Sequence, residues 1–316
     1  MPQVVNPDRP QPAPEATSWT PTPGALALKE MGAGLGRRRD HGPPTAPPAR
    51  RTRPSAAAQG HTAAGTGLSL NSEPLCTLSV MTLNALEWGV GDRTAVLIHG
   101  MMGDSRSWWE IGPALAERGY RVVAVDLPGH GGSGRNPDGD IEWFATSVLE
   151  SVPAHPVLAM GHSLGGSVLA AAVSRLRPER VVYVETPFGP GRAHLDVAAF
   201  ATGLEERKSA RTTENLRRER PWWSERDIAV EAEAAKLFDV ATTVSLHARR
   251  VGGPDNTPPL VAPSLMIRAE PSQYISQETA DHLRARGFEV RSVAGAGHSV
   301  WYGRHEEFMA ALDGWV

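Results

Sequence analysis

The chain has few of the features that mark secreted, membrane-spanning and nucleic-acid-binding proteins. It contains one cysteine, Cys76, which excludes a disulfide within the chain and is typical of a reducing compartment such as the cytoplasm. No stretch approaches the roughly 18 continuous apolar residues of a membrane span, and the first residues lack a basic segment followed by an apolar one. A formal net charge of −3 gives no electrostatic reason to expect nucleic acid or a membrane as a partner.

The first 80 residues also lack the side chains from which a core is built. Residues 1–75 hold about half of the 27 prolines, a single aromatic residue, Trp19, and no isoleucine. Such a segment cannot bury enough apolar surface to offset chain entropy, so residues 1–80 are predicted to be a disordered tail rich in Pro, Arg and Ala. Because Met81 stands where the first predicted strand begins, an alternative is that residues 1–80 are an upstream extension and Met81 is the functional start.

From residue 81 onward, apolar runs alternate with helical patterns. The predicted strands lie at about 82–88, 95–99, 121–126, 156–160, 180–185, 264–268 and 288–293. Alternation of strands and helices calls for a mostly parallel sheet with helices on both faces. A charged segment with two tryptophans, at about 191–255, interrupts this alternation and shows helical periodicity. We therefore predict one α/β domain over residues 81–316 that carries a helical insertion.

The clearest chemical signal is the segment Gly161-His-Ser163-Leu-Gly165-Gly166, which follows an apolar run and precedes a small-residue helical pattern. A strand, a sharp turn and a helix in this order form the context of a nucleophile elbow. Glycine at positions 161 and 165 removes Cβ atoms that would clash in so tight a turn. Ser163 is the predicted nucleophile. The N–H of Leu164, at the helix N-terminus, is a predicted donor to negative charge.

Two other glycine-rich loops supply the partners that a serine nucleophile needs. The loop His99-Gly-Met101-Met-Gly follows an apolar strand, and the Met101 N–H is the predicted second oxyanion donor beside Leu164. Near the C-terminus, Ala294-Gly-Ala-Gly-His298 follows another predicted strand. Imidazole titrates near neutrality and moves a proton both ways, so His298 is the predicted general base. His162, beside the nucleophile, is expected to point away from the site.

Taken together, these segments resemble the α/β-hydrolase fold superfamily. The resemblance rests on four matching segments and covers roughly residues 81–316. The segments are His99-Gly100, Asp126-Leu-Pro-Gly129-His130-Gly131-Gly-Ser133, Gly161–Gly166 and Gly297-His298. The resemblance implies the sheet architecture predicted above and a catalytic triad in the order serine, acid, histidine. It also implies that the insertion at 191–255 forms a helical cap over the active site.

The acid of the triad is the point at which this chain departs from the superfamily. Most members carry an aspartate a few residues past the strand that here runs Ser264–Arg268, and Ser272 occupies that place in this chain. Glu185 is the first candidate, because it ends the preceding predicted strand, where some members keep their acid. Glu270 on the usual loop is the second, and a site without an acid is the third. The acid fixes the imidazole tautomer and stabilises the imidazolium.

The sequence therefore predicts a soluble, cytoplasmic serine hydrolase with Ser163, His298 and Glu185 as catalytic residues. Its substrate is predicted to be a small acyl compound, a carboxylic ester or lactone. Five aromatic residues are candidates for the substrate pocket: Trp109, Phe188, Trp222, Trp223 and Trp301. No cofactor or metal is assigned, because the histidines lack ligand spacing and no dinucleotide motif is present. We expect a monomer or weak homodimer.

Several other functions share these residues. A cofactor-free perhydrolase, a carbon–carbon bond hydrolase and a thioesterase would each use the same serine and histidine, since the fold hosts many chemistries. A non-catalytic ligand-binding protein on the same scaffold is the alternative from another class, and the absence of aspartate at position 272 is its main support.

Overall fold

The computed structural model describes residues 81–316, so the predicted tail at 1–80 lies outside the described residues. The strands are β1 Ala85–Trp88, β2 Thr94–Ile98, β3 Arg121–Val125, β4 Leu158–His162, β5 Arg180–Val184, β6 Ser264–Glu270 and β7 Glu289–Ala294. The helices are α1 Ile111–Glu117, α2 Ile141–Ser151, α3 Leu164–Leu176, α4 Val197–Ala210, α5 Thr213–Glu219, α6 Glu225–Leu237, α7 Val240–Arg249, α8 Gln277–Ala285 and α9 His305–Ala311. None of these helices is long and apolar enough to cross a membrane.

The seven strands form one sheet in the order β1-β3-β2-β4-β5-β6-β7. β1 pairs with β3 in the antiparallel direction, and all other neighbours are parallel. The chain builds outward from β2 first on one side and then on the other, so the strand order reverses between β2 and β4. Loops at the carboxyl ends of strands beside such a reversal form the usual ligand crevice of open α/β sheets. The predicted mostly parallel sheet is confirmed.

The sheet is buried on both faces, which explains why its strands are apolar at successive positions. Along β2, Val96 and Ile98 pack against the layer formed by α2, α3 and α8, while Ala95 and Leu97 pack against the layer formed by α1 and α9. Alternate side chains of a strand point to opposite faces, so a strand covered on both sides needs apolar residues at every position. The core therefore holds the strand ends rigidly in place.

Helices α4–α7 lie between β5 and β6 and make up the insertion that the sequence predicted at about 191–255. Each of them begins at a side chain that accepts a hydrogen bond from the backbone of the first turn: Asp196, Thr212, Ser224 and Asp239. Such caps replace one of the backbone acceptors that a helix start lacks. The insertion contacts the rest of the domain through Trp109, whose Nε1 donates to Asp227 at 3.1 Å.

Candidate active site

Ser163 lies in a strained turn between β4 and α3. Its φ of 51° and ψ of −113° fall outside the regions that non-glycine residues favour. The turn depends on the glycines around it, as the sequence predicted. A Cβ added to Gly161 would stand 2.7 Å from the Gly165 carbonyl oxygen, and one added to Gly165 would collide with the carbonyls of Ile98 and His99. The serine hydroxyl is thereby held at the carboxyl edge of the sheet.

His298, on the loop after β7, lies beside this serine. Its Nε2 atom is 2.9 Å from Ser163 Oγ, within hydrogen-bond distance. Its Nδ1 atom is 3.5 Å from Glu185 Oε2, a long contact that still places the carboxylate next to the ring. The structure thus brings into one row the three side chains that the sequence named as nucleophile, base and first-candidate acid.

Glu185 is held at both carboxylate oxygens. It follows β5 directly, has a φ of 45°, and its side chain is buried. The Ala269 N–H donates to Oε1 at 2.7 Å, and the Ser272 hydroxyl donates to Oε2 at 3.0 Å. Hydrogen bonds from neutral donors stabilise a buried carboxylate and fix its orientation. The oxygen that faces His298 is therefore the one bound to Ser272.

The other candidate acid lies elsewhere. Glu270 is half-exposed and pairs with Arg268 at 3.4 Å. Ser272, which stands where an aspartate was expected, accepts hydrogen bonds from the N–H groups of Tyr274 and Ile275 at 3.1 and 2.8 Å. Its hydroxyl is therefore free to donate only in the direction of Glu185. Of the two carboxylates that the sequence left open, the structure places Glu185 at the imidazole.

The loop that the sequence assigned to oxyanion binding runs alongside Ser163. A Cβ added to Gly100 would stand 3.2 Å from Ser163 Cβ and 2.6 Å from His162 Nδ1, so only glycine fits this close approach. Leu164 is the first residue of α3, so its N–H has no partner within the helix. Of the two predicted donors, Leu164 thus follows the serine directly, and Met101 follows Gly100 in the loop that approaches it.

Two aromatic rings lie close to the imidazole of His298. The ring centroid of Tyr274 is 4.2 Å from that of His298, and this tyrosine is 49% exposed to solvent. The ring centroid of His162 is 4.7 Å from that of His298, and His162 Nε2 donates to the His298 carbonyl oxygen at 2.9 Å. Burial, and then the neighbouring His298, hold the pKa of His162 well below its usual value. The expectation that His162 points away from the site was wrong, because its ring lines the cavity and holds the backbone of His298 through this hydrogen bond.

Two further histidines are buried below the site. Burial lowers the pKa of His99, and it lowers that of His130 to about 3. His99 Nε2 accepts the Leu127 N–H at 2.9 Å, and His130 packs against Phe238. Both rings are therefore neutral at physiological pH and support the loops around the site.

A small cavity of about 30 Å³ adjoins the imidazole and the oxyanion loop. Met101 and His298 line it on the side of the sheet. Arg211 and Glu231 line it from the insertion, and Tyr302 also lines it. The insertion therefore contributes charged side chains to the wall of the site.

The five aromatic residues predicted for the pocket lie in different surroundings. Trp301 lines the cavity and is buried. Trp109 and Trp223 lie where the insertion meets the rest of the domain. Trp109 donates a hydrogen bond to Asp227, and Trp223 packs against Tyr302. Phe188 packs at 5.0 Å against the core residue Tyr183, and Trp222 is 44% exposed. Trp301 is thus the one member of the predicted set among the residues that line this cavity.

The side chains at the site that were not predicted include Tyr274, Tyr302, Arg211 and Glu231. Tyr274 could have been found, because it lies two residues after the position where an aspartate was expected. Arg211 and Glu231 carry no such signal. They belong to helical segments rich in charge, and only the packing of the insertion turns this pair toward the cavity.

Comparison with known proteins is consistent with this geometry. The model of the alpha/beta hydrolase family matches residues 95–311. A pimeloyl-[acyl-carrier protein] methyl ester esterase from Methylococcus capsulatus is 36% identical over 34% of this chain, so the match spans less than half (46%) of that relative. An sn-1-specific diacylglycerol lipase from Mus musculus is 25% identical over 72% of this chain and 82% of its own.

A solved structure shows the same fold. Est816, described as an N-acyl homoserine lactone degrading enzyme, superposes with a TM-score of 0.59 at 19% identity and covers 75% of this chain and 97% of its own. The family match extends over well more than half of the 316 residues and includes the strands that carry Ser163, Glu185 and His298. The prediction of an enzyme of this fold is confirmed, and the chain belongs to the alpha/beta hydrolase family.

Proposed function

We propose that the protein is a serine hydrolase that cleaves a small carboxylic ester or lactone through an acyl-enzyme intermediate. The observation that carries the proposal is the continuous row from Ser163 Oγ to His298 Nε2 at 2.9 Å and from His298 Nδ1 to Glu185 at 3.5 Å. Relatives named for ester and lactone cleavage support the substrate class. The single cysteine supports a reducing, cytoplasmic location.

The proposed reaction begins with attack of Ser163 Oγ on the carbonyl carbon. His298 Nε2 takes the serine proton as the new C–O bond forms, and Glu185 stabilises the resulting imidazolium. The N–H groups of Met101 and Leu164 donate to the oxyanion. His298 then returns the proton to the leaving oxygen as the ester C–O bond breaks.

Water completes the cycle. His298 takes a proton from a water molecule, whose oxygen attacks the acyl carbon, and the bond to Ser163 breaks as the proton passes to Oγ. The products are a carboxylic acid and the free enzyme. Thioester cleavage and perhydrolysis would follow the same proton path with a different leaving group or nucleophile.

Covalent labelling tests the proposal directly. A fluorophosphonate probe should label the wild type at Ser163, and Ser163→Ala should abolish both labelling and hydrolysis of 4-nitrophenyl esters. Ser209→Ala, at an exposed serine of α4, serves as the matched control and should leave both intact. Circular dichroism should show an unchanged fold for Ser163→Ala. A folded wild type that neither reacts with the probe nor hydrolyses any ester would favour the non-catalytic alternative.

A further inference from the structure

The part of the cavity wall that the insertion contributes contains a largely buried ion pair that the proposed hydrolysis does not use. Arg211, just after α4, donates through Nη1 to Glu231 of α6, and the two side chains are 32% and 7% exposed. Burial raises the pKa of Glu231, while Arg211 opposes this shift. Buried pairs of this kind contribute little to stability compared with apolar residues. The pair is therefore a candidate for substrate recognition.

The pair leaves hydrogen-bonding capacity directed at the cavity. A guanidinium carries five N–H donors, and Nη1 supplies the side-chain hydrogen bond that Arg211 forms within residues 81–316. Only Oε1 of Glu231 accepts a hydrogen bond in the same part of the chain. Both residues line the cavity, so an N–H donor and a carboxylate acceptor stand side by side in its wall.

An independent observation comes from Tyr302 in the same wall. Its hydroxyl is buried, and within the described range it has no hydrogen-bond partner, although Ser107 lies nearby without suitable geometry. Buried hydroxyls are rarely left unpaired, because the lost hydrogen bond costs free energy. Because Tyr302 lines the cavity, its hydroxyl offers a second donor to a group bound there.

From these contacts we propose that the cavity binds a neutral carboxamide, or a group of the same donor–acceptor pattern, on the acyl part of the substrate. The carboxamide oxygen accepts hydrogen bonds from Arg211 and Tyr302. The carboxamide N–H donates to Oε2 of Glu231, the oxygen that Arg211 does not bind. The inference rests on the proposed hydrolase function, because it assigns the specificity of that same site.

Charge balance favours this class over charged groups. The Arg211–Glu231 pair has no net charge, so it offers no excess charge to attract an ion. A substrate carboxylate would be repelled by Glu231, and a substrate ammonium would be repelled by Arg211. An alkyl group would leave the buried polar atoms unpaired. A carboxamide offers an acceptor and a donor on adjacent atoms and meets both needs.

The acyl side is assigned because the leaving alcohol needs a path to solvent. On one face of His298 the covering ring is Tyr274, which is half-exposed, whereas the cavity lies beneath the insertion. The group that stays bound through the acyl-enzyme stage therefore belongs in the cavity.

Matched 4-nitrophenyl esters test the proposal. The acyl groups are ω-carboxamides of four to six carbons, alkyl twins of equal heavy-atom count, and the corresponding ω-carboxylates. For the wild type we expect kcat/KM to be at least tenfold higher for the best carboxamide than for either twin. Removing the hydroxyl in Tyr302→Phe should lower the carboxamide-to-alkyl ratio severalfold, and Arg211→Met with Glu231→Leu should abolish the preference.

The double substitution removes both charges at once, because deleting one partner would leave the other buried and unpaired. The exposed Arg217–Glu225 pair of α5 and α6 gives the matched control, Arg217→Met with Glu225→Leu, which should keep the wild-type ratio. If the cavity double variant does not fold, Tyr302→Phe still decides the question, since it removes a single oxygen. An unchanged ratio in Tyr302→Phe and in the folded double variant, or a preference for the carboxylate, would overturn the proposal.

Binding without turnover separates this inference from the hydrolase proposal. The Ser163→Ala variant should bind the carboxamide ester at least tenfold more tightly than its alkyl twin, measured by tryptophan fluorescence, since Trp301 lines the cavity. Selective binding in the absence of wild-type turnover would refute the hydrolase function and support the carboxamide site. Ester turnover without selectivity would support the hydrolase function and refute the carboxamide site.

Discussion

Replacing Glu185 with glutamine provides the sharpest test of the catalytic row, because the structure determines how the new amide must turn. The Ala269 N–H donates to Oε1 at 2.7 Å, so that position needs the amide oxygen. The amide nitrogen then occupies the Oε2 position, 3.5 Å from His298 Nδ1, where the rotatable Ser272 hydroxyl loses its acceptor. It donates to Nδ1, which forces the imidazole proton onto Nε2. In this tautomer His298 cannot accept the proton of Ser163.

The expected loss follows from this tautomer change. The corresponding aspartate-to-asparagine change in a serine protease lowers kcat by about 10⁴, or about 5.5 kcal/mol at about 1.4 kcal/mol per factor of ten. Because the contact in this protein is long, we expect a loss of about 10³–10⁴ in kcat with KM changed by less than about threefold. Hydrolysis of 4-nitrophenyl acetate measures both constants, and Glu270→Gln is the matched control, expected within about twofold of wild type.

A folded Glu185→Gln variant that keeps more than a tenth of the wild-type kcat, or a Glu270→Gln variant that loses as much as Glu185→Gln, would refute the role of Glu185. A second-site change sharpens the test. Ser272 Oγ lies 3.0 Å from the same carboxylate oxygen, so Ser272→Asp in the Glu185→Gln background should place a carboxylate near His298 and recover at least tenfold in kcat. Failure to recover any activity would show that the strand-end position of Glu185 is itself required.

Three further outcomes are expected. Tyr274→Ala should lower kcat about three- to tenfold, since an aromatic contact contributes about 0.5–1.5 kcal/mol, whereas Tyr274→Phe should keep wild-type kcat; equal losses would exclude a stacking role. The pKa of His130 is about 3 in the folded protein, below its unfolded value of 6.5. The free energy of unfolding that His130 contributes is therefore complete above pH 6.5. It is lost as the pH falls toward 3, at up to about 1.4 kcal/mol per pH unit. The melting temperature should therefore drop between pH 7 and 5, and less steeply in His130→Gln; parallel curves would contradict this. Residues 81–316 alone should melt within about 5 °C of the full chain, which corresponds to roughly 1.5–2.5 kcal/mol for a domain of this size, and a larger drop by calorimetry would show that the tail packs on the domain.

The parts of the site that could be predicted are those set by local backbone geometry. The turn at Ser163 requires small residues wherever the chain passes close to itself, and Gly161 and Gly165 are visible in the sequence for that reason. Strand boundaries are harder to predict: the sequence places β4 at 156–160, and the strand lies at Leu158–His162. The apolar run begins before the strand does, because residues that pack below the sheet are as hydrophobic as those within it.

The parts that could not be predicted depend on how distant segments dock. Phe188 and Trp301 are both aromatic residues after strands, yet Phe188 packs on Tyr183 while Trp301 lines the cavity. Hydrophobicity is the same for a core residue and a pocket residue, so composition cannot separate them. The Arg211–Glu231 pair could not be predicted for a similar reason. Most charged residues of an inserted helix face solvent, and only the docked structure shows which of them are buried.

Glu185, the proposed acid, and Ser272, which stands where an aspartate was expected, are parts of one arrangement. β5 and β6 are adjacent parallel strands, so residues that follow them meet at the same edge of the sheet. Glu185 follows β5 and extends toward His298, and its Oε2 lies 3.0 Å from Ser272 Oγ after β6. An aspartate at position 272 would place a second carboxylate against the first, and two such groups cannot both stay ionised at that distance. A short hydroxyl instead donates the hydrogen bond that the buried glutamate needs. Once Glu185 provides the carboxylate, a neutral donor at position 272 is therefore what the site requires, and the absence of aspartate there does not argue against catalysis.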